Sequence, residues 1–259
     1  MLYDSVNAVL IRVYSDLGNV GYYSVLHSDG CTTLLPVAEE EGLISIPNFM
    51  NPLRIRDKCT DKPIAHYYAF AKRSIKAVHN DPRIDLGFFT ENYRGGRLPK
   101  KSIRIGDYVL FMSGLAEYPE KTWYLDRKEF YRLVKSLRKK GKVGIYIVGG
   151  IVVERKLVIR SRDWDSVSAK HPVLLYSPHN YWSERKDTLA VIGRGFYVKP
   201  PVRVATLTDT GFRPSAKLIR LVGRTAANKL VRQRFRKTGL LILDREKLEE
   251  IVLAYAVYH

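Results

Sequence analysis

Two kinds of apolar spacing divide this chain. Strand-like runs of β-branched and aromatic residues fall at 8–13 (AVLIRV), 22–26 (YYSVL) and 32–37, separated by the turn compositions Asp16-Leu17-Gly18-Asn19 and Asp29-Gly30. The strongest strand signals are 105–115 (IGDYVLFMSGL) and 142–155, with shorter runs at 172–176, 188–192 and 202–207. Helical spacing marks 64–78 (IAHYYAFAKRSIKAV) and the stretch from Asp126, placed as an N-cap, to Gly141, where Phe130, Val134 and Leu137 share a face. Two more helices are expected at 216–237, started by Pro214 and Ser215, and at 245–257, capped by Asp244. Residues 39–63, rich in Pro, Asn and acids, read as an ordered loop. No repeat or low-complexity segment interrupts the order. The pattern predicts an α+β protein: a curved, mostly antiparallel sheet flanked by helices, with a basic C-terminal helical extension. Residues 1–212 make the α+β unit and 213–259 the extension; an internal boundary, if there is one, falls at the basic connector 94–101.

Charge changes this picture, because it is sorted by position. Residues 1–93 carry 9 Lys+Arg against 11 Asp+Glu, whereas 94–259 carry 35 against 15, so the last two-thirds of the chain accounts for the whole formal charge of +18. Such a field draws polyanions, since each phosphate neutralised releases condensed counterions. The longest apolar run without a charge, 143–153 (VGIYIVGGIVV), is far short of the roughly 20 residues of a membrane span. The N-terminus meets Asp4 and Arg12 where a signal peptide is apolar, so a cytoplasmic protein is expected. Cys31 and Cys59 stand alone, without CxxC or Cys/His spacing, so two unpaired thiols and no metal site are the first expectation. A bridge between them stays open, because the Lys-, Arg- and Tyr-rich, Met-poor composition matches hyperthermophilic archaea, whose intracellular proteins carry disulfides.

Candidate chemistry follows from both patterns. Nine bases (Arg213, Lys217, Arg220, Arg224, Lys229, Arg232, Arg234, Arg236, Lys237) occur with no acid between Asp209 and Asp244. A merely solvated helix mixes signs to gain i,i+4 pairs, so this stretch points to phosphate contact. Arg94, Arg97, Lys100, Lys101 and Arg104 form a Gly-rich basic loop without the GxxxxGK[ST] pattern, and Lys135, Arg138 and Lys139 lie on the outer face of the 126–141 helix. Tyr181 and Trp182, beside His179 and Asn180, offer rings for base stacking, against the plainer reading of core packing. His79 and Asp81 are spaced as an acid/base pair or a metal site, against the plainer reading of an Asx-turn before Pro82. Asp107 with Asp126 and Lys128 has the acid, D-x-K spacing of metal-dependent nucleases, but Asp126 is explained more cheaply as a cap. No GxSxG, Ser/His/Asp order or zinc-deaminase pattern is present.

Taken in order, several landmarks resemble the nucleotide modification associated domain family, third type. Asp16-x-Gly18, Asp29-Gly30 and Leu35-Pro36 resemble its opening with D-G and L-P-I-P elements, although Val37 and Ala38 replace the last two positions. His79-Asn80-Asp81-Pro82 resembles its H-x-D-P element, Gly106-Asp107-Tyr108-Val109-Leu110-Phe111 its G-D-L-F-L-F strand, and 143–152 the strand that follows. His171-Pro172, Asn180, Gly193-Arg194-Gly195-Phe196 and Leu207-Thr208 then fall in the family's order. Val173 stands where the family has a histidine, and Ser215 and Leu218 only hint at its S-x-W-x-L-P element. The G-D-x-V-L-F strand also resembles PUA-like base-binding domains. The resemblance implies a setting of DNA-base modification, a nucleic-acid partner with DNA favoured over RNA, and His79, Asp81, Asp107, His171 and Asn180 as site candidates; it names no cofactor and no oligomeric state. Three roles fit. A reader holds phosphates on basic helices and a base in a polar pocket near His79, Asp107 and Asn180; an enzyme uses His79 as acid/base with Asp81 orienting it or holding a metal; a third protein docks on structured RNA.

Overall fold

A computed structural model describes residues 5–14, 21–39, 50–71, 74–94, 98–99, 102–181, 185–235 and 240–258. Strand β1 (Ser5–Arg12) buries residues 8–11 without a gap, as a strand covered on both faces must. β2 (Ser24–Leu26) and β3 (Thr32–Thr33) form a hairpin around Asp29-Gly30. Pro36 has no N–H to give a ladder, and the expected 32–37 strand divides there: β4 (Val37–Glu39) pairs with β5 (Ala77–His79) in a separate two-stranded sheet. This pairing overturns the expected 64–78 helix. Among its described residues only Ile64–Tyr68 coils, as a 3-10 turn, and by Ala77 the backbone takes strand partners in β4 and at Met50.

β6 (Phe88–Asn92) is followed by β7 (Tyr108–Ala116), all nine of whose residues are buried. Helix α1 (Arg127–Lys139) starts as the sequence predicts. Asp126 accepts from the Glu129 N–H (2.8 Å) and Glu129 accepts from the Asp126 N–H (3.0 Å), a reciprocal cap. The nuclease role of Asp126 thereby falls away, since the carboxylate has a structural task. Asp126→Ala is expected to lower stability by about 1 kcal/mol, read as a shifted urea midpoint with an unchanged slope.

β8 (Val143–Ile159), α2 (Trp164–Lys170) and the 21-residue β9 (Thr188–Thr208) follow. The expected 172–176 strand is a 3-10 helix, Pro172–Tyr176: Pro172 holds its first position, where a missing N–H costs nothing. After β10 (Gly211–Pro214), the expected 216–237 helix is two, α3 (Ala216–Val222) and α4 (Arg224–Arg232), because Gly223 takes φ +80° and turns the chain. β11 (Leu241–Asp244) leads into α5 (Arg245–Ile251). The last expected helix stops there, and Ala256–Tyr258 becomes β12 by pairing with residues 196–198 of β9.

The main sheet runs β10-β9-β8-β7-β1-β11, with β6 and β12 also on β9 and the β2–β3 hairpin on β7. Among the described residues only β1–β7 and β2–β7 are parallel, so the fold is α+β with a mixed, mostly antiparallel sheet. The period-2 alternation of β1 sorts its residues. Ala8 and Leu10 face Leu218, Leu221, Leu230 and Leu248 of the C-terminal helices; Val9 and Ile11 face Ile84, Phe89 and Phe111 on the other side. The described residues of 213–258 are thus woven into the sheet and its cover. A third cluster lies under α1, where Phe130 stacks on Phe70 with ring centres 4.1 Å apart. Cys31 and Cys59 form a disulfide (Cα–Cα 5.9 Å), correcting the expectation of two unpaired thiols. The chain fold brings the β2–β3 turn against the 57–62 turn, a proximity that no local spacing announces. Among the described residues, no helix is long and apolar enough to cross a membrane.

Candidate functional site

The His79-Asn80-Asp81-Pro82 element leads from β5 into a tight turn, in which Arg83 and Phe88 exchange backbone hydrogen bonds of 3.1 Å each. That turn lies directly on β9. Gly193 N–H donates to the Gly87 carbonyl (2.8 Å); Gly87 and Gly195 make the approach of the turn possible, and Gly193 the close approach of β8. A Cβ on Gly87, which has φ +66°, would overlap the Gly193 carbonyl; one on Gly193 would overlap that of Val152; one on Gly195 would overlap that of Ile84. The Gly193-Arg194-Gly195 element is therefore the seat on which residues 84–87 rest, and it fixes where residues 79–82 stand.

Beside this seat opens a cleft of about 560 Å³, within the range of small-molecule sites. Tyr14, Pro36, Asn80 and Tyr197 form its walls together with Asp29-Gly30, and Arg56, Lys58 and Lys199 bring exposed cations to it. Burial, with the charge of neighbouring Asp85, pushes the Tyr197 hydroxyl up to about 12. Burial, with Tyr197, Asp85 and Asp81 nearby, raises Tyr14 well above its ordinary value. Both are neutral hydrogen-bonding hydroxyls at any ordinary pH. Lys199 stands 5.8 Å from the Tyr197 ring centre. A second cleft of about 630 Å³, edged by Lys140 and Lys142, shares Gly30 and Pro200 with the first, so these two residues are the partition between them.

Next to the 80–82 loop lies a buried polar group. His79 (4% exposed) and His179 (6%) are close enough to repel when charged, and burial, followed for His79 by that repulsion, lowers each from 6.5 to about 4. The carboxylate of Glu39, partly exposed, lies 3.4 Å from His79 Nδ1. His179 donates to the Thr90 carbonyl, and the Thr90 and Ser177 hydroxyls are 2.9 Å apart. Asn180 is buried, and its Oδ1 has no hydrogen-bond partner among the described residues.

The structure gathers His79, Asp81 and Asn180 around this group and cleft, but gives Asp107 and His171 other neighbours. Asp107 immediately precedes β7 and accepts from Asn7 (3.1 Å) and the Arg104 N–H (2.7 Å); His171 Nδ1 lies 3.5 Å from Arg155. Tyr181 is half-buried beside Arg185 and Tyr176. Among the expected phosphate-binding residues, Arg94, Arg104, Lys135, Lys139, Arg213, Lys217, Arg220, Arg224, Lys229, Arg232 and Arg234 are exposed, and Arg138 is half-buried. Arg220 makes two hydrogen bonds to Glu250 (2.7 and 2.6 Å), so α5 supplies the acid missing locally, and Lys217 stands over the Tyr255 ring. Arg97, Lys100, Lys101, Trp182, Arg236 and Lys237 lie outside the described residues.

Sequence reasoning missed Tyr14, Arg56, Lys58, Tyr197 and Lys199 on the cleft, and Glu39 and His179 in the buried group. His179 was within reach, one residue before Asn180. A further set of donors, His27, Asp57 and Cys59, has ligand atoms within 4.8 Å of one another. A profile of the family described as "Nucleotide modification associated domain 3" matches residues 7–235. Comparison with curated proteins and with solved structures finds no match.

Proposed function

The chain belongs to the nucleotide modification associated domain 3 family, and from that premise we propose that it is a nucleic-acid reader in a setting of DNA-base modification. It holds phosphates on the exposed cations of α1 and α4 and accepts a base or nucleotide in the 560 Å³ cleft.

One observation carries this reading. The D-G element at 29–30, the proline of the L-P element at 36 and Asn80, at the open position of the H-x-D-P element, are far apart in sequence, yet all line that one cleft. Its chemistry suits a nucleotide: tyrosine faces for a ring, the Asn80 amide for a base edge, and Arg56, Lys58 and Lys199 for phosphate. Reading is favoured over turnover by the state of His79. An imidazole lowered to about 4 is neutral at pH 7 and a weak proton acceptor, and the acid/base role would want a value near working pH. The role of Asp107 is likewise structural in this reading, since its carboxylate orders the turn into β7.

Fluorescence anisotropy against duplex DNA, single-stranded DNA and hairpin RNA tests the proposal. DNA should bind at 50 mM salt and lose affinity about a hundredfold by 200 mM if some four phosphates are neutralised. Lys229→Glu with Arg232→Glu should flatten that slope, whereas Asn80→Ala should weaken binding about fivefold without changing it. Failure to bind any nucleic acid at low salt sinks the proposal. Preference for hairpin RNA replaces it with RNA docking, and product formation that His79→Ala abolishes replaces it with an enzyme.

A further inference from the structure

The turn between β2 and β3 carries two metal-donor residues, His27 and Cys31, and the facing 57–62 turn carries Asp57 and Cys59. Donor atoms of His27, Asp57 and Cys59 lie within 4.8 Å of one another, and Cys31 is bonded to Cys59. We propose that reducing this disulfide opens a four-coordinate site for Zn²⁺ or a similarly thiophilic divalent cation, held by His27, Cys31, Cys59 and Asp57. This inference is independent of the nucleic-acid reading.

Two thiolates, an imidazole and a carboxylate are a tetrahedral zinc donor set. On such an ion, with Zn–S near ~2.3 Å, two thiolates stand roughly 3.8 Å apart. Cα atoms 5.9 Å apart reach that separation by side-chain rotation alone. The groups that would orient the ligands are already in place. Asp57 Oδ1 accepts from Thr33 Oγ1 (2.9 Å), while Oδ2 accepts from the Thr60 N–H (3.1 Å), Thr60 Oγ1 (2.7 Å) and Tyr67 OH (2.9 Å). His27 Nε2 lies 2.8 Å from Thr33 Oγ1, and the Cys31 N–H donates to Asp29 Oδ1 (2.9 Å). Ligands braced by outer hydrogen bonds in this way bind metal more tightly than free ones.

With the disulfide closed, neither sulfur is a thiolate, and one imidazole and one carboxylate are too few to retain the ion. Opening it takes two electrons and two protons from a dithiol, which becomes a disulfide itself. Zn²⁺ then displaces two protons from Cys31 and Cys59 to solvent. Both cysteines are half-buried and line the 560 Å³ cleft, which gives reductant and ion a way in.

The test loads the full chain with Zn²⁺, oxidised or reduced by a water-soluble phosphine, which takes up the disulfide with one water to give phosphine oxide and two thiols. After desalting, the reduced chain should retain one Zn²⁺ and the oxidised chain none. Co²⁺ in its place should show thiolate charge transfer and tetrahedral d–d bands. His27→Ala leaves the disulfide and the oxidised fold intact and should lose the retained zinc; Thr33→Val should weaken affinity 10- to 100-fold by removing the brace on His27 and Asp57, a range of about that size being usual for outer-shell changes. Equal zinc in oxidised and reduced chains, retention unchanged by His27→Ala, an octahedral cobalt spectrum, or a reduced chain that unfolds despite zinc would each overturn the proposal.

Discussion

Gly195→Ala is expected to destabilise the protein by about 3 kcal/mol or more, at the upper end for overpacking. The added Cβ would overlap the Ile84 carbonyl, a backbone atom that cannot rotate away as a side chain can. Relief requires lifting the 84–87 turn off β9, which breaks the Gly193 N–H to Gly87 carbonyl bond and unpacks Ile84 from the core. Arg194→Ala, on the exposed residue between the two glycines, should change stability by no more than about 0.5 kcal/mol. Urea unfolding of the two variants is the direct comparison. Near-native stability for Gly195→Ala would show that the seat yields, and residues 79–82 would then lose their claim to a fixed position. Because Asn80 leaves the same seat, any Gly195→Ala protein that does fold should also bind nucleic acid more weakly than its stability accounts for.

Acid should unfold the protein earlier than its carboxylates alone predict. His79 and His179 are held near 4 in the folded chain against 6.5 when unfolded. Between these values the unfolded chain takes up protons that the folded chain refuses, so their contribution is complete above pH 6.5 and drains away as pH falls toward about 4. Each histidine is worth up to about 3 kcal/mol across that window, less whatever the local structure yields. Urea midpoints at pH 7, 5.5 and 4, compared between the wild-type chain and His179→Leu, isolate the effect. The variant should start lower in stability but fall less steeply. Parallel profiles would mean that the imidazoles are solvated and protonate in place.

Much of the frame was legible because its signals are local. The unbroken apolar runs of β7 and β8 need no partner to be recognised, and Asp126 with Glu129 writes the start of α1 into four residues. Errors arose where a distant strand decided the outcome. Residues 64–78 have helical spacing, yet Ala77–His79 gains more from pairing with Val37–Glu39 than a short helix returns. Residues 256–258 leave a helical pattern for β9 in the same way. The site divides similarly. His79, Asp81 and Asn180 could be named from motif elements, whereas the meeting of residues 14, 29–30, 36, 56–58, 80 and 197–199 in one cleft is a property of the strand order. Cys31 and Cys59 were unreadable as a pair for that reason also: 28 residues separate them, and only the fold closes the gap.

β9 hydrogen-bonds to β6, β8, β10 and β12, while β1 waits on β7 and β11. β1 is thus completed by residues 241–244, and β9, the longest strand among the described residues, by residues 256–258. This sheet cannot close until residues 241–258 have left the ribosome, and loop-closure entropy slows the search for partners so distant in sequence. The nascent protein must pass through a stage with β1 and β9 edges unpaired and their apolar faces uncovered, in which intermolecular strand pairing competes with folding. Shielding during synthesis, by a chaperone or by low local concentration, is therefore a requirement that the topology imposes on the cell making this protein.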